Sequence, residues 1–317
     1  MFGFLNINKP RGVTSRFVTT KIQQLFPKDK VGHAGTLDPL ATGVLVIAIG
    51  PATRLIPYLA RKPKSYVGRF RLGYTSDTQD IDGDVTPIEN SLPVSRQQIE
   101  SVLPQFSGLI KQVPPKFSAI KVGGKRAYRL ARQGRKFSIQ EKEVEIFNLQ
   151  VREFDFPEFE IELRCSSGTY VRTLGQDIAR ACNSDAIMTD LRRTQVGIFD
   201  TANSTELDQL ANKAFGLQRF ESPIVLLREF SKRSITREQA QDLFHGSYLH
   251  LKSRSDEVAV IHDGRLIAIV SKVEPGLYKP QTNFVHYWIR MGVYDFGKQV
   301  EMPKLKSRAD AKAPPVP

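Results

Sequence analysis

The stretch Gly32-His33-Ala34-Gly35-Thr36-Leu37-Asp38-Pro39-Leu40-Ala41-Thr42-Gly43-Val44-Leu45 decides how this chain is read. It sets one carboxylate, Asp38, between two turns of small residues and ahead of an apolar run, Val44 to Ile49, bracketed by Gly43 and Gly50. Proline has no N–H and drives the residue before it into extended geometry. Asp38 is therefore expected to project from a stiff loop instead of lying along a helix. The apolar run has the length of a buried strand. An isolated Asp-Pro pair is commonly a plain turn ahead of such a strand, but a constellation this long marks a carboxylate aimed at a partner.

Working outward, Ser15 is placed to cap a helix with Val18, Ile22 and Leu25 on one face, and Pro27 limits its length. Leu55, Ile56 and Leu59 suggest a short amphipathic helix, and Tyr66, Gly68, Phe70 and Leu72 then alternate as a half-buried strand. Ser95 with Gln98 three residues on makes a capping box ahead of Ile99, Val102 and Leu103. Strand patterns return at Val144 and Ile146 and at Phe159, Ile161, Leu163 and Cys165, with a helix after them. Residues 1–228 thus read as one mixed domain. Near 228 the basic cluster Arg228, Lys232, Arg233 and Arg237 begins and short apolar runs replace longer helices, so a second, β-rich domain is placed at 229–287. Its Asp263-Gly264 pair between two apolar runs is a hairpin signal. Residues 288–317 read as an extension, Lys-, Ala- and Pro-rich and disordered from about Pro303.

Lys and Arg number 46 against 33 Asp and Glu, a net charge of +13, which favours a polyanionic partner. No apolar run approaches the roughly 18 residues of a spanning helix, so nucleic acid is preferred to a membrane. Met1 to Lys9 carry no basic leader or sustained apolar core, and a cytoplasmic protein is expected. The two cysteines, Cys165 and Cys182, and the five histidines form no metal-binding spacing. The acids of Thr75 to Asp84 lack the distal glutamate of a calcium loop, and Val122-Gly123-Gly124-Lys125 is not a phosphate loop. Neither metal nor cofactor is expected.

Further motifs follow in order: Lys9-Pro10-Arg11-Gly12-Val13-Thr14-Ser15, Tyr66-Val67-Gly68-Arg69-Phe70-Arg71-Leu72-Gly73, Ser166-Ser167-Gly168-Thr169-Tyr170-Val171-Arg172-Thr173-Leu174, and Leu191-Arg192-Arg193-Thr194-Gln195-Val196-Gly197-Ile198-Phe199. With the Asp38 stretch they make residues 2 to about 199 resemble the TruB family of tRNA pseudouridine synthases. A looser likeness runs on to about 285, where the small domain resembles a PUA-like RNA-binding module. Val46, where the family often has proline, and the segment after about 286 depart from the pattern.

The resemblance implies an α+β fold, a pseudouridine synthase core whose central mixed, mainly antiparallel sheet is flanked by helices. It implies a cofactor-free isomerase acting by base flipping on the uridine at position 55 in the tRNA T-loop, a monomer with no obligatory protein partner, which can also assist tRNA folding. Residue by residue, it makes Asp38 the nucleophile and Arg172 its paired cation. Tyr66 stacks on the target base and is placed to help with the C5 proton. His33 fills the space left by the flipped base, Leu191 packs at the pocket, and Lys9 supports the active-site loop. Tyr170, in the Arg172 motif, is a further substrate-binding candidate. Lys121 and Arg126 are candidates for phosphate contact, within a basic run continuing through Arg129, Arg132, Arg135 and Lys136 at helical spacing beside Tyr128.

Chemistry fits this assignment. Breaking the N1–C1′ bond builds positive charge on the sugar, which one ionised carboxylate can stabilise or capture. A buried Asp stays ionised only if a fixed cation opposes its desolvation, the role read for Arg172. A phenol has an ordinary pKa of about 10, so stacking suits Tyr66 better than proton abstraction, which stays open. Two other readings remain: a relative guided by RNA to ribosomal targets, and a non-catalytic tRNA-binding factor.

Overall fold

The alternation expected around Tyr66 is realised as the strand Lys64–Leu72, whose even-numbered residues are all buried. It pairs antiparallel on both edges, with Ala186–Val196 on one side and Glu158–Cys165 on the other, and so lies at the centre of a ten-stranded sheet. Outward from Ala186–Val196 come Thr42–Ile49, Gly3–Lys9 and Thr205–Glu206; outward from Glu158–Cys165 come Lys142–Asp155 and Gly108–Gln112. The short strands Val31–His33 and Phe199–Asp200 pair with Thr42–Ile49 and Ala186–Val196. Among the described strands of this sheet, the pairings of Thr42–Ile49 with Ala186–Val196 and of Gly3–Lys9 with Thr205–Glu206 are parallel and the others antiparallel. The mixed, mainly antiparallel sheet expected from the sequence is therefore present.

The computed structural model describes residues 1–296 apart from 90, 119, 211 and 212. They divide into two compact units, Met1–Glu229 and a second that begins at Phe230. In the first, Val44 to Ile49 are wholly buried, as a run apolar on both strand faces requires. Helix Val171–Ala181 packs on the sheet over Phe70, which stacks on Phe159 with ring centroids 5.2 Å apart. Gly175 makes this approach possible, because a Cβ there would run into the Phe70 ring. Truncating Phe70, fully buried, would cost about 3–5 kcal/mol.

Helix Ser15–Leu25 buries Val18 and Ile22, but its cap is Thr14, whose Oγ1 accepts from the Phe17 N–H at 3.0 Å. The expectation of Ser15 as cap is off by one residue, for a reason that bears on function. The Ser15 hydroxyl is engaged elsewhere, accepting from Leu37 N–H at 2.9 Å and donating to Leu37 O at 3.1 Å. The capping box of Ser95 with Gln98 forms as read.

The second unit is a five-stranded sheet in the order Ser231–Ser234, Glu257–His262, Arg265–Glu274, Leu277–Asn283, Leu249–His250. Asp263 and Gly264 both take positive φ, the two-residue turn that joins its central hairpin. Ile235, Leu243, Val258, Val260, Ile267 and Tyr278 form its core, and Trp288, Ile289, Val293 and Phe296 pack against it, so this unit runs on past residue 287. The tail read as disordered from Pro303 lies outside the described residues. No described helix is long and apolar enough to cross a membrane.

Candidate active site

The loop that carries Asp38 is fixed on both sides. Before it, Leu37 is held by Ser15 through both of its backbone polar groups. After it, Pro39 O accepts from the Gly12 N–H at 2.8 Å and from Lys9 Nζ at 3.2 Å. Lys9 is fully buried and also donates to Pro10 O at 2.9 Å and Val13 O at 2.7 Å. Three carbonyls match the three N–H bonds of an ammonium. Burial draws the Lys9 pKa down to about 8, Asp38 pulls it back up, and the charge persists at neutral pH. Lys9 thus clamps the loop from behind.

Arg172 sits in the first turn of helix Val171–Ala181 and is 7% exposed. Its Nη2 lies 3.2 Å from Asp38 Oδ2 and donates to Phe117 O at 3.1 Å. Its Nη1 donates to Asp80 Oδ2 at 2.9 Å and to Thr78 O at 2.8 Å. Asp80 is the residue that sequence reasoning missed here. Its side chain is 5% exposed and accepts from Thr78 Oγ1 at 2.6 Å and from the Asp82 N–H at 3.1 Å. Nothing in the spacing of Asp77, Asp80, Asp82 and Asp84 tells which acid turns inward.

The Asp38 side chain is 37% exposed and lines the cleft. Burial pushes its pKa above the ordinary carboxylate value; Arg172 pulls it down, and Asp80 pushes it up again. Burial outweighs the pull of Arg172 on Asp38. The guanidinium is shared between two carboxylates, and the one it grips at the shorter distance is Asp80.

A cleft of about 310 Å³ gathers Asp38, Arg172, Tyr66, Tyr170 and Leu191 on its walls. Tyr66 faces it from the central strand, with Arg193 as its register partner on the next strand and its pKa raised by burial. A phenol made less acidic is no readier to exist as a base, which favours the ring's use as a stacking surface. Lys64 and Arg193 also line the cleft, and neither was singled out from the sequence. Arg193 is 1% exposed and donates to Val44 O at 2.7 Å and Gly35 O at 3.2 Å. Gly43, at φ +95°, lets the backbone of Arg193 come close, since a Cβ would collide with its carbonyl. A two-residue period finds both side chains. Lys64 shares a strand face with Tyr66, and Arg193 shares one with Leu191.

The other candidates lie outside this lining. His33 is on the short strand Val31–His33, half-buried, with its pKa lowered by burial so that the ring is neutral at pH 7. Lys121 and Arg126 face each other in a two-stranded hairpin turned by Gly123 and Gly124, both at positive φ. The helical spacing read for the basic run holds only from Ala127 to Arg132, because that hairpin takes up Lys125 and Arg126 first. Within the helix, Arg129 and Arg132 lie over Tyr128 at 5.9 and 6.0 Å from its ring centre.

Comparison with known proteins gives a consistent picture. Residues 23–171 match the family described as TruB family pseudouridylate synthase, N terminal domain, and residues 172–230 match the tRNA pseudouridylate synthase B C-terminal domain. A protein of Mycobacterium bovis named tRNA pseudouridine synthase B is 38% identical over 274 residues, which cover 84% of this chain and 91% of that one. One of the same name from Syntrophomonas wolfei is 41% identical over 71% of this chain and 76% of its own length. Among solved structures, a chain of a Cbf5-Nop10-Gar1 complex superposes with a TM-score of 0.67 at 25% identity, covering 87% of this chain and 79% of that one.

Proposed function

The chain belongs to the TruB family of pseudouridylate synthases and is an enzyme that isomerises uridine to pseudouridine in tRNA; we propose that its target is position 55 in the T-loop and that Asp38 is the nucleophile. The observation that carries the proposal is the Asp38 carboxylate in the cleft wall, on a pinned loop, 3.2 Å from the buried Arg172 guanidinium. A carboxylate so placed meets the C1′ side of a nucleotide whose base has swung into the cleft.

In this reading the target base leaves its stack and lies against Tyr66, with Leu191 and Tyr170 shaping the walls. The N1–C1′ bond breaks, and Asp38 answers the positive charge on the sugar by bonding to it or by taking a proton beside it. The detached base turns, C5 joins C1′, and the C5 proton leaves. Arg172 holds Asp38 in place and favours its ionised form, while Lys9 fixes the loop backbone behind it. His33 is read as entering the gap in the T-loop, with Lys121 and Arg126 on phosphates. The unit beginning at Phe230 is read as a PUA-like RNA-binding module, supported by its five-stranded sheet. A net charge of +13 suits the whole. We place the enzyme in the cytoplasm as a monomer.

The test is direct. Purified protein is incubated with unmodified tRNA transcript, and pseudouridine is mapped along the product. Conversion confined to position 55 is expected; conversion elsewhere overturns the assignment of position, and none at all overturns the activity.

A further inference from the structure

Two cations share the wall of the cleft, and no described acid lies within ion-pair distance of either. Lys64 stands two residues before Tyr66 on one strand face, and Arg193 is the register partner of Tyr66 on the next strand. Lys64 Nζ donates to Ala60 O and Lys62 O, both at 2.9 Å, and among the described residues nothing accepts its third N–H. Neither cation forms an ion pair with a described carboxylate. The neighbouring Cys165 thiol is pushed up to about 11 by burial and stays neutral, so it does not balance Lys64 either. Holding two positive charges where they are 7% and 1% exposed is costly unless negative charge joins them at some stage.

The reaction supplies that charge. When N1–C1′ breaks, the bonding pair stays with the base, which becomes a uracilate anion spread over N1 and its carbonyl oxygens. At the same moment Asp38 loses its own charge, whether its oxygen bonds to C1′ or takes a proton from the sugar. One negative charge therefore passes from the carboxylate to the base, by either route. When C5 bonds to C1′, Asp38 recovers its electron pair or its proton goes back, C5 gives up its hydrogen as a proton, and N1 gains one.

Resting on the function proposed above, we infer that Lys64 is a catalytic residue whose free N–H bonds the departing base and stabilises its negative charge, with Arg193 behind it. The placement is that of an oxyanion hole, a donor set where charge appears in the transition state and not in the substrate. A backbone phosphate could satisfy the same cation, but it would be bound as tightly in the ground state, which gives the two cases different kinetics.

The experiment compares wild type, Lys64→Met and Lys64→Arg in single turnovers with saturating enzyme. The substrates are tRNA transcripts carrying uridine or 5-fluorouridine at the target, and loss of the N1-linked nucleoside is followed. Fluorine withdraws electrons, so the detached fluorinated base needs less help. Lys64→Met is expected to slow bond breaking about 10²- to 10³-fold on uridine but only about tenfold on 5-fluorouridine. Its affinity for tRNA should stay within about threefold of wild type, and Lys64→Arg should recover most of the rate. Equal slowing on both substrates, a wild-type rate, or weakened binding with an unchanged step would each overturn the inference. Should Lys64→Met fail to fold, wild type alone decides: its rates on the two substrates are expected to lie within about tenfold, and a steeper dependence contradicts the assignment. A wild type that leaves tRNA uridine unconverted overturns the proposed function itself, whereas an undiminished Lys64→Met overturns only this inference.

Discussion

Arg172 and Arg193 are two buried arginines in the wall of one cleft, and their surroundings are opposite. Arg172 stands between two carboxylates and satisfies both. Arg193 is held by two carbonyls, and the charged side chains that act on it, Lys64 and Lys9, are cations as well. One end of the cleft is thus supplied with acid before any substrate arrives, and the other with unspent positive charge. The contrast teaches that burial alone does not assign a role to an arginine; the acceptors around it do.

The largest effect that probes this contrast is expected from Arg172→Met. It leaves Asp80 buried and Asp38 half-buried with no cation between them, a change worth about 3–5 kcal/mol of stability, checked by denaturant unfolding, and isomerisation should be lost with it. Arg193→Met removes a charge that already lacked a counter-ion and strands only the neutral carbonyls of Val44 and Gly35. A smaller cost of about 1–3 kcal/mol follows. Equal costs for the two variants would erase the distinction drawn here.

Asp80→Asn sharpens the same comparison from the other side. Asp80 raises the pKa of Asp38 by like charge, so removing that charge lowers it. Activity requires ionised Asp38 and falls as pH drops through its pKa. The acid limb of the kcat/KM profile is therefore expected above the ordinary aspartate range in wild type, and to move to lower pH in Asp80→Asn. The smallest effect is on stability. Because folding raises the pKa of Asp38, its ionised form costs stability above that pKa. Asp38→Asn should melt at the same or a slightly higher temperature than wild type at neutral pH. That advantage should vanish at pH values below the ordinary carboxylate range, where Asp38 is protonated in both states.

Much of this was legible in the sequence, and what escaped did so for identifiable reasons. The central strand was readable because Tyr66, Gly68, Phe70 and Leu72 alternate, and the hairpin at Asp263-Gly264 because that pair favours positive φ. Asp38 and Arg172 were found through their motifs, and the structure brings them together. Asp80 was not, because four acids in one loop look alike until one of them meets a guanidinium. Lys64 and Arg193 lay within or beside quoted motifs, on the faces of Tyr66 and Leu191, and were passed over because a lysine or arginine in a strand is ordinarily taken for a solvated charge. Ser15 was taken for a cap because its real partners, the backbone groups of Leu37, are 22 residues away.

The account rests on the Asp38 carboxylate doing chemistry at the sugar. Single-turnover release of tritium from tRNA labelled at uracil C5 tests it most directly, with wild type and Asp38→Asn compared at equal tRNA occupancy. The variant is expected to bind tRNA with affinity close to wild type and to release no tritium. Release at the wild-type rate would contradict the assignment of Asp38 as nucleophile.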